Sequence, residues 1–263
     1  MSCYLGLNPE YHGGPIYNSA MRIARALALA GIAARRKCEA FILEGEVSLN
    51  GQVIRDLGRQ VEPGKDEIRF RGKKLSFDLP VYFLLHKPAG YTTTLSDPHA
   101  EKTVQELLPA DLRSRARLFP VGRLDRETTG LLLFTNDGEL ANRLIHPRYG
   151  VGKWYEVTLD RPLDPKNQAK LLRGVVLEEG PARAEKVEPL SGRTVRLMLR
   201  EGKKREIRRL FDTLGFRVEA LCRIAFGPLK LGSLPSGQGR LLTPEEILQL
   251  KRLAPPSGLN PGR

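Results

Sequence analysis

The stretch Gly-Leu-Leu-Leu-Phe, residues 130–134, constrains this chain more than any other. Five apolar residues in a row cannot alternate between a core face and a wet face, as a strand on a sheet surface does. The run is also short for a buried helix, which needs roughly ten residues or more. It predicts a central strand covered on both faces, hence a sheet with other elements packed on it. Further strands are expected over 81–85 and in KWYEVTL, ARAEKVEPL, TVRLMLR and FRVEALCRIAFGPL. They outnumber the helices expected in ELANRLIH, KKREIRRLFDTLG and PEEILQL, and no regular strand–helix–strand rhythm joins them. The expected class is α+β.

Residues 21–75 read as a separate small unit. MRIARALALAG is a helix closed at Gly31, and ARRKCEAFILEG a second, from Ala34 to about Leu43, with Phe41 and Ile42 toward a core and Gly45 as stop. EVSLNGQVI is a hairpin, because Asn50-Gly51 accepts the positive φ angles of a type I′ turn. DEIRF is another strand after a Pro63-Gly64 turn. Arg35, Arg36 and Lys37 crowd the start of the second helix, where backbone N–H groups already favour anions; they are candidate phosphate contacts. The composition agrees: 43 Lys+Arg against 30 Asp+Glu gives +13, with aromatics at 6%. Such a balance suits a phosphate-rich partner, nucleic acid first. Residues 76–80 are expected to be a linker. Residues 1–20 are read as a disordered extension, which an upstream start codon would explain, and 251–263 as a disordered basic tail.

The common catalytic devices are missing. The sequence has no G-x-x-x-x-G-K-[ST] loop, no G-x-G-x-x-G after a strand and no H-E-x-x-H. Cys3, Cys38 and Cys222 are far apart and odd in number, so neither a zinc site nor a disulfide framework is expected, and reduced cytosolic thiols fit best. No run approaches the ~20 apolar residues of a membrane span. Carboxylate chemistry is left, and VGRLDRETTGLLLFTNDGEL poses the question. Asp125 there either shapes a turn or carries a reaction. Asp137, in the same stretch, reads as the cap of ELANRLIH, whose Leu140, Leu144 and Ile145 face a core.

Two resemblances sharpen this. G-x-x-x-R-R…G-x-V-x-x-N-G resembles the small RNA-binding module first seen in a small-subunit ribosomal protein, the αL motif. One departure is Ala34, where that module has a capping Ser; losing the cap costs about 0.5–2 kcal/mol. G-R-L-D-x-x-T-x-G-L-L-[LIVF]-x-T-N-D-G resembles the signature of the RNA pseudouridine synthases, in the RsuA/RluB branch. HKPAGY with TVQELLP resembles that family's first motif, and Lys153-Trp154-Tyr155 its K-x-Y. EGKKREIRRLFDTLG resembles its third motif, and RIAFGPLKLGSLP its C-terminal segment. The resemblance spans about 21–250.

It implies a catalytic domain over 81–250, built on a mixed, mainly antiparallel sheet with flanking helices. The reaction it implies breaks the uridine N1–C1′ bond, turns the base and joins C5 to C1′. No atom is added and no electron moves, so neither metal nor cofactor is required. Asp125 is then the nucleophile or base, Arg208 the cation that keeps it ionised, and Tyr155 the ring stacked on the uracil. Leu210 forms part of the apolar wall, and Arg123 fills the space the flipped uridine leaves. Phosphates are expected at Lys203, Lys204 and Arg205 as well as at Arg35, Arg36 and Lys37. The implied partner is ribosomal RNA, met in the cytoplasm by a monomer, with no membrane. NDGELANRLIHP and KKREIRR look closer to the enzymes of large-subunit 23S RNA. A 16S-acting relative and a non-catalytic ribosome-assembly factor are the alternatives.

Overall fold

The computed structural model describes residues 20–63, 65–75, 77, 80–95, 101–115 and 117–253. The chain divides after Pro80 into two compact units. The expected extension, the linker, Gly64 and most of the expected tail lie largely outside the described residues.

In the first unit, Ile23–Leu29 (α1) and Arg35–Leu43 (α2) bury Ile23, Ala26, Leu27, Cys38 and Ile42 completely. α1 starts later than expected because Met21–Arg22 is extended, paired antiparallel with Gln60–Val61. Gly31 and Gly45, each at φ +78°, end the two helices. Cys38 takes the core place expected of Phe41, whose ring instead tilts against Phe70 at 5.1 Å. Val47–Leu49 (β1) and Gln52–Ile54 (β2) form the expected hairpin. Asn50 at φ +50° and Gly51 at φ +85° give the two positive angles of a type I′ turn. Ile68–Phe70 (β3) pairs with the other edge of β1, and Lys73–Lys74 (β4) extends it.

The second unit is built on one large sheet. Its main strands are Tyr82–Lys87 (β5), Thr129–Thr135 (β6), Lys153–Leu159 (β7), Lys186–Pro189 (β8), Thr194–Leu199 (β9), Val218–Phe226 (β10) and Gly239–Leu241 (β11). They lie in the order β8-β9-β7-β10-β6-β5-β11. Among the described residues every pairing in it is antiparallel except β6 with β10.

The apolar run of β6 explains the layers. Leu131 and Leu133 point to one face, with Leu140 and Leu144 of Gly138–Ile145 (α4) and Ile247 and Leu250 of Pro244–Leu253 (α7). Leu132 and Phe134 point to the other. They join Leu112 of Ala110–Arg115 (α3), Leu171 of Pro165–Arg173 (α5), and Leu210 and Phe211 of Glu206–Thr213 (α6). All four β6 side chains are fully buried, each worth about 1.5–3 kcal/mol against exposure. A sheet between two helical layers is the α+β arrangement the patterning implied.

Several local expectations need correction. Ile145 is 46% exposed, and Ala141 fills the core place beside Leu140 and Leu144. At 100° per residue, positions 140, 141 and 144 form one stripe and 145 falls off its edge. TVQELL forms a 3₁₀ turn over Val104–Leu107, closed by a capping box between Thr103 and Glu106. α6 begins at Glu206, not in the lysines before it, and α7 runs through Leu253, into the expected tail. α3 and α5 are additions. α5 carried a readable start, since Asp164 caps it and Pro165 occupies its first turn.

Candidate active site

Asp125 does shape a turn. Thr128 N donates to the Asp125 carbonyl at 3.0 Å. What distinguishes the turn is how firmly its backbone is held. On one side, the buried Thr93 hydroxyl donates to Leu124 O at 2.6 Å and accepts from Leu124 N at 3.2 Å. On the other, Lys87 ends β5 with its side chain wholly buried. Its Nζ donates to Pro88 O at 3.0 Å, Arg126 O at 3.0 Å and Thr128 O at 2.8 Å. Three carbonyls use all three ammonium donors, which compensates for burying the charge. Burial still pushes the Lys87 ammonium down to about 8, against the pull of the Glu127 and Asp125 carboxylates. Within this fastened turn the half-buried Asp125 carboxylate makes no hydrogen bond or ion pair among the described residues.

The strand that follows is locked as tightly. Gly130 has φ +105°, and a Cβ there would lie 2.3 Å from Arg223 O. Only glycine allows β6 and β10 to meet in parallel at this point. Arg223 Nε then donates to Leu131 O at 2.7 Å, and Thr129 Oγ1 to Leu221 O at 3.3 Å.

Tyr155 arrives on β7 beside a bulge. Trp154 faces Ala225 and Tyr155 faces Arg223, so Ile224 is the extra residue on β10. A bulge re-aims side chains, and here it lies next to the site. Asp125, Thr128, Tyr155 and Arg123 line one cleft of about 600 Å³, together with Ile207 and the segment 201–206. Tyr155 is 8% exposed and Arg123 is exposed. The Thr128 hydroxyl is buried without a hydrogen-bond partner among the described residues.

The remaining sequence candidates are placed differently. Arg208 forms no ion pair with Asp125; its Nη1 donates to Val218 O at 3.0 Å. Burial and Arg205 lower its pKa, while the Asp125 and Glu127 charges act the other way, so the two groups interact through the field only. Leu210 is fully buried in the core and does not line the cleft. Ile207, one turn earlier on the same stripe of α6, supplies that wall. Lys203 is occupied, by Glu201 at 3.2 Å and by Pro181 O. Lys204 and Arg205 are exposed, and Arg35, Arg36 and Lys37 are exposed at the start of α2 in the first unit. The sequence reading missed Lys87, Thr93 and Glu206. A lysine closing the apolar run VYFLLHK was the available signal for the first; nothing in the sequence marked the other two.

Comparison with known proteins bears on the family and the fold. Residues 81–213 match the family RNA pseudouridylate synthase, and residues 21–68 match the S4 domain. The chain is 40% identical over 240 residues to ribosomal large subunit pseudouridine synthase B of Bacillus subtilis, covering 89% of this chain and 96% of that one. It is 42% identical over 236 residues to an uncharacterized RNA pseudouridine synthase of Mycobacterium leprae, covering 88% and 92%. A crystal structure of a pseudouridylate synthase superposes with a TM-score of 0.63 at 31% identity, over 88% of this chain and 99% of that one. The chain belongs to the RNA pseudouridine synthase family: it is an isomerase with an N-terminal S4 RNA-binding domain. Its likeness to large-subunit relatives of the RluB type extends over most of its length.

Proposed function

We propose that this enzyme converts a uridine of large-subunit ribosomal RNA to pseudouridine, in the cytoplasm, as a monomer and without metal or cofactor. The observation that carries the site assignment is the Asp125 carboxylate, unpaired among the described residues, on a turn fastened through the Leu124, Arg126 and Thr128 carbonyls and lining the cleft shared with Tyr155. The name of the Bacillus subtilis relative supports the choice of subunit.

The chemistry asks little else of the protein. The N1–C1′ bond breaks, the uracil turns, and C5 bonds to C1′. The C5 proton leaves and N1 takes one up, so atoms and electrons balance. Asp125 supplies the carboxylate, as nucleophile or base, that opens the glycosidic bond. Tyr155 stacks on the uracil and keeps it oriented while it is free of the ribose. Arg208 contributes positive potential from within α6. A 600 Å³ cleft is of the size that takes one small-molecule ligand, here a single extruded nucleoside. Extrusion costs a few kcal/mol, and Arg123 bracing the vacated stack would lower that cost. Phosphates meet Lys204 and Arg205 at the cleft and Arg35, Arg36 and Lys37 on the S4 domain.

Mapping pseudouridine in ribosomal RNA from cells with and without the gene tests the reading. One 23S position should lose its pseudouridine, and regain it with the wild-type gene but not with Asp125→Asn. A map unchanged by deletion, or restored by Asp125→Asn, would overturn it; a loss confined to 16S RNA would overturn the subunit assignment.

A further inference from the structure

Glu206 and Lys153 are charged groups inside the second unit that the reaction above does not use. Glu206 is 4% exposed, and its Oε2 accepts from Lys203 N at 3.0 Å. Glu206 N donates back to Lys203 O at 3.2 Å. Both backbone groups of Lys203 are thereby tied to Glu206, and Lys203–Glu206 becomes a closed four-residue turn. Its two central residues are Lys204 and Arg205, which are exposed and whose side chains make no hydrogen bond or ion pair among the described residues. Arg205 sits at φ +51°, a conformation glycine takes with less steric cost. The stem of the turn is held from another side. Lys153 Nζ donates to Arg200 O at 3.2 Å, Glu201 O at 3.4 Å and Val151 O at 3.4 Å.

We propose that Lys153 and Glu206 are positioning residues that hold the turn Lys203–Glu206 so that Lys204 and Arg205 each bind an RNA phosphate at the mouth of the cleft. An anion takes the amide at one end of the segment, and a cation takes the carbonyls at the other. The proposal rests on the reading that this cleft receives RNA. The same two residues belong to the elements that carry the cleft walls, since Lys153 lies two residues from Tyr155 on β7 and Glu206 precedes Ile207 on α6. Phosphate capture at the turn is in this way tied to the base-binding wall. Both charges are held against burial, which pushes the Lys153 ammonium down to about 8 and the Glu206 carboxyl up. Facing Lys153 are Arg223, which also lowers it, Glu206, which raises it, and the Phe226 ring at 5.9 Å.

The test measures affinity for a 23S ribosomal RNA transcript over a salt series, together with single-turnover tritium release from uridine labelled at C5. Lys204→Ala/Arg205→Gly should weaken binding about 10-fold and flatten the plot of log K against log salt by about 1.4–1.8, as two lost phosphate contacts require. Lys153→Met and Glu206→Ala should reproduce that flattening, with a larger effect on Kd than on single-turnover rate. Lys153→Arg and Glu206→Gln, which keep a donor and an acceptor, should retain most of the affinity. Added to the Lys204/Arg205 double variant, Lys153→Met should cost nothing further. In the wild type the slope should flatten above pH about 8, an arm that does not depend on any variant folding. The proposal is overturned if Lys153→Met and Glu206→Ala slow the chemistry at unchanged affinity and slope, or if Lys153→Met is additive with the double variant. It also fails if the double variant binds like wild type, an outcome that leaves the Asp125 reading standing on the pseudouridine map.

Discussion

Lys87 Nζ lies 2.8 Å from the carbonyl oxygen of Thr128, so the end of one strand fastens the turn that leads into its neighbour. The two residues are 41 apart in the chain, and neither carries out a chemical step. Together with the bond to Arg126 O, this contact fixes where Asp125 stands.

Lys87→Met should therefore separate position from chemistry. The side chain fits the space, but the Pro88 and Thr128 carbonyls lose their lysine donor, at about 1–3 kcal/mol for each group left unpaired, while Arg126 O keeps Gly90 N at 2.9 Å. Stability should fall by an amount of that order, read from a urea melt. A carboxylate displaced by a fraction of an ångström or more should lower kcat by about 10–100-fold with a smaller change in KM. Equal loss in both parameters would argue that Lys87 only supports the fold.

The same group gives a pH signature of opposite sign in rate and stability. With the Lys87 ammonium pushed down to about 8, kcat at saturating RNA should decline above that pH, since a neutral amine has two donors for three carbonyls. Stability from this group moves the other way. The unfolded lysine keeps its proton up to about 10.5, so between pH 8 and 10.5 the unfolded state binds more protons and the contribution rises with pH. Saturating RNA keeps Lys153, which acts through affinity, out of the rate measurement. A kcat limb that persists in Lys87→Met would assign the titration elsewhere.

Gly130→Ala should be among the most damaging single changes in the molecule. The new methyl group would overlap Arg223 O at 2.3 Å in a backbone conformation alanine rarely adopts. A loss of about 3 kcal/mol or more is expected, or failure to accumulate soluble protein. A variant melting within a degree of wild type would show that the parallel contact is dispensable.

Ala34→Ser should improve the S4 domain. Ala34 already has the extended backbone of a helix cap, φ −63° and ψ 147°, but no side chain to accept from the first turn of α2. A serine hydroxyl there should add about 0.5–2 kcal/mol to that domain. Hydrogen exchange of the α2 amides would register the gain, and an unchanged exchange rate would count against it.

Much of the frame was legible where one local rule acted alone. Asn50-Gly51 required its turn, GLLLF required a strand buried on two faces, and Asp137 accepts from Leu140 N as a cap should. Asp125 and Tyr155, which line one cleft, were singled out because motif spacing marks them. Reading failed where a residue's role depends on a distant segment. Whether Ile207 or Leu210 lines the cleft is decided by how α6 tilts on the sheet, and both fit the same stripe. Lys87 stood in plain view at the end of an apolar strand. Its use as a triple donor depends on carbonyls that only the folded β5–β6 pair brings to it.

The pairing of β6 with β10 also sets a timetable. Arg223 donates to Leu131 across 92 residues of sequence, so the mount of Asp125 is incomplete until β10 has been made. At about 5–20 residues per second, a ribosome takes roughly 5–20 s to cover that interval. Throughout it the nascent chain carries Asp125, the carboxylate proposed to open the glycosidic bond, without the strand that seats it. On the proposed role of Asp125, activity is thus confined to a chain already elongated past β10, which cannot modify RNA while that half of its own sheet is still being translated.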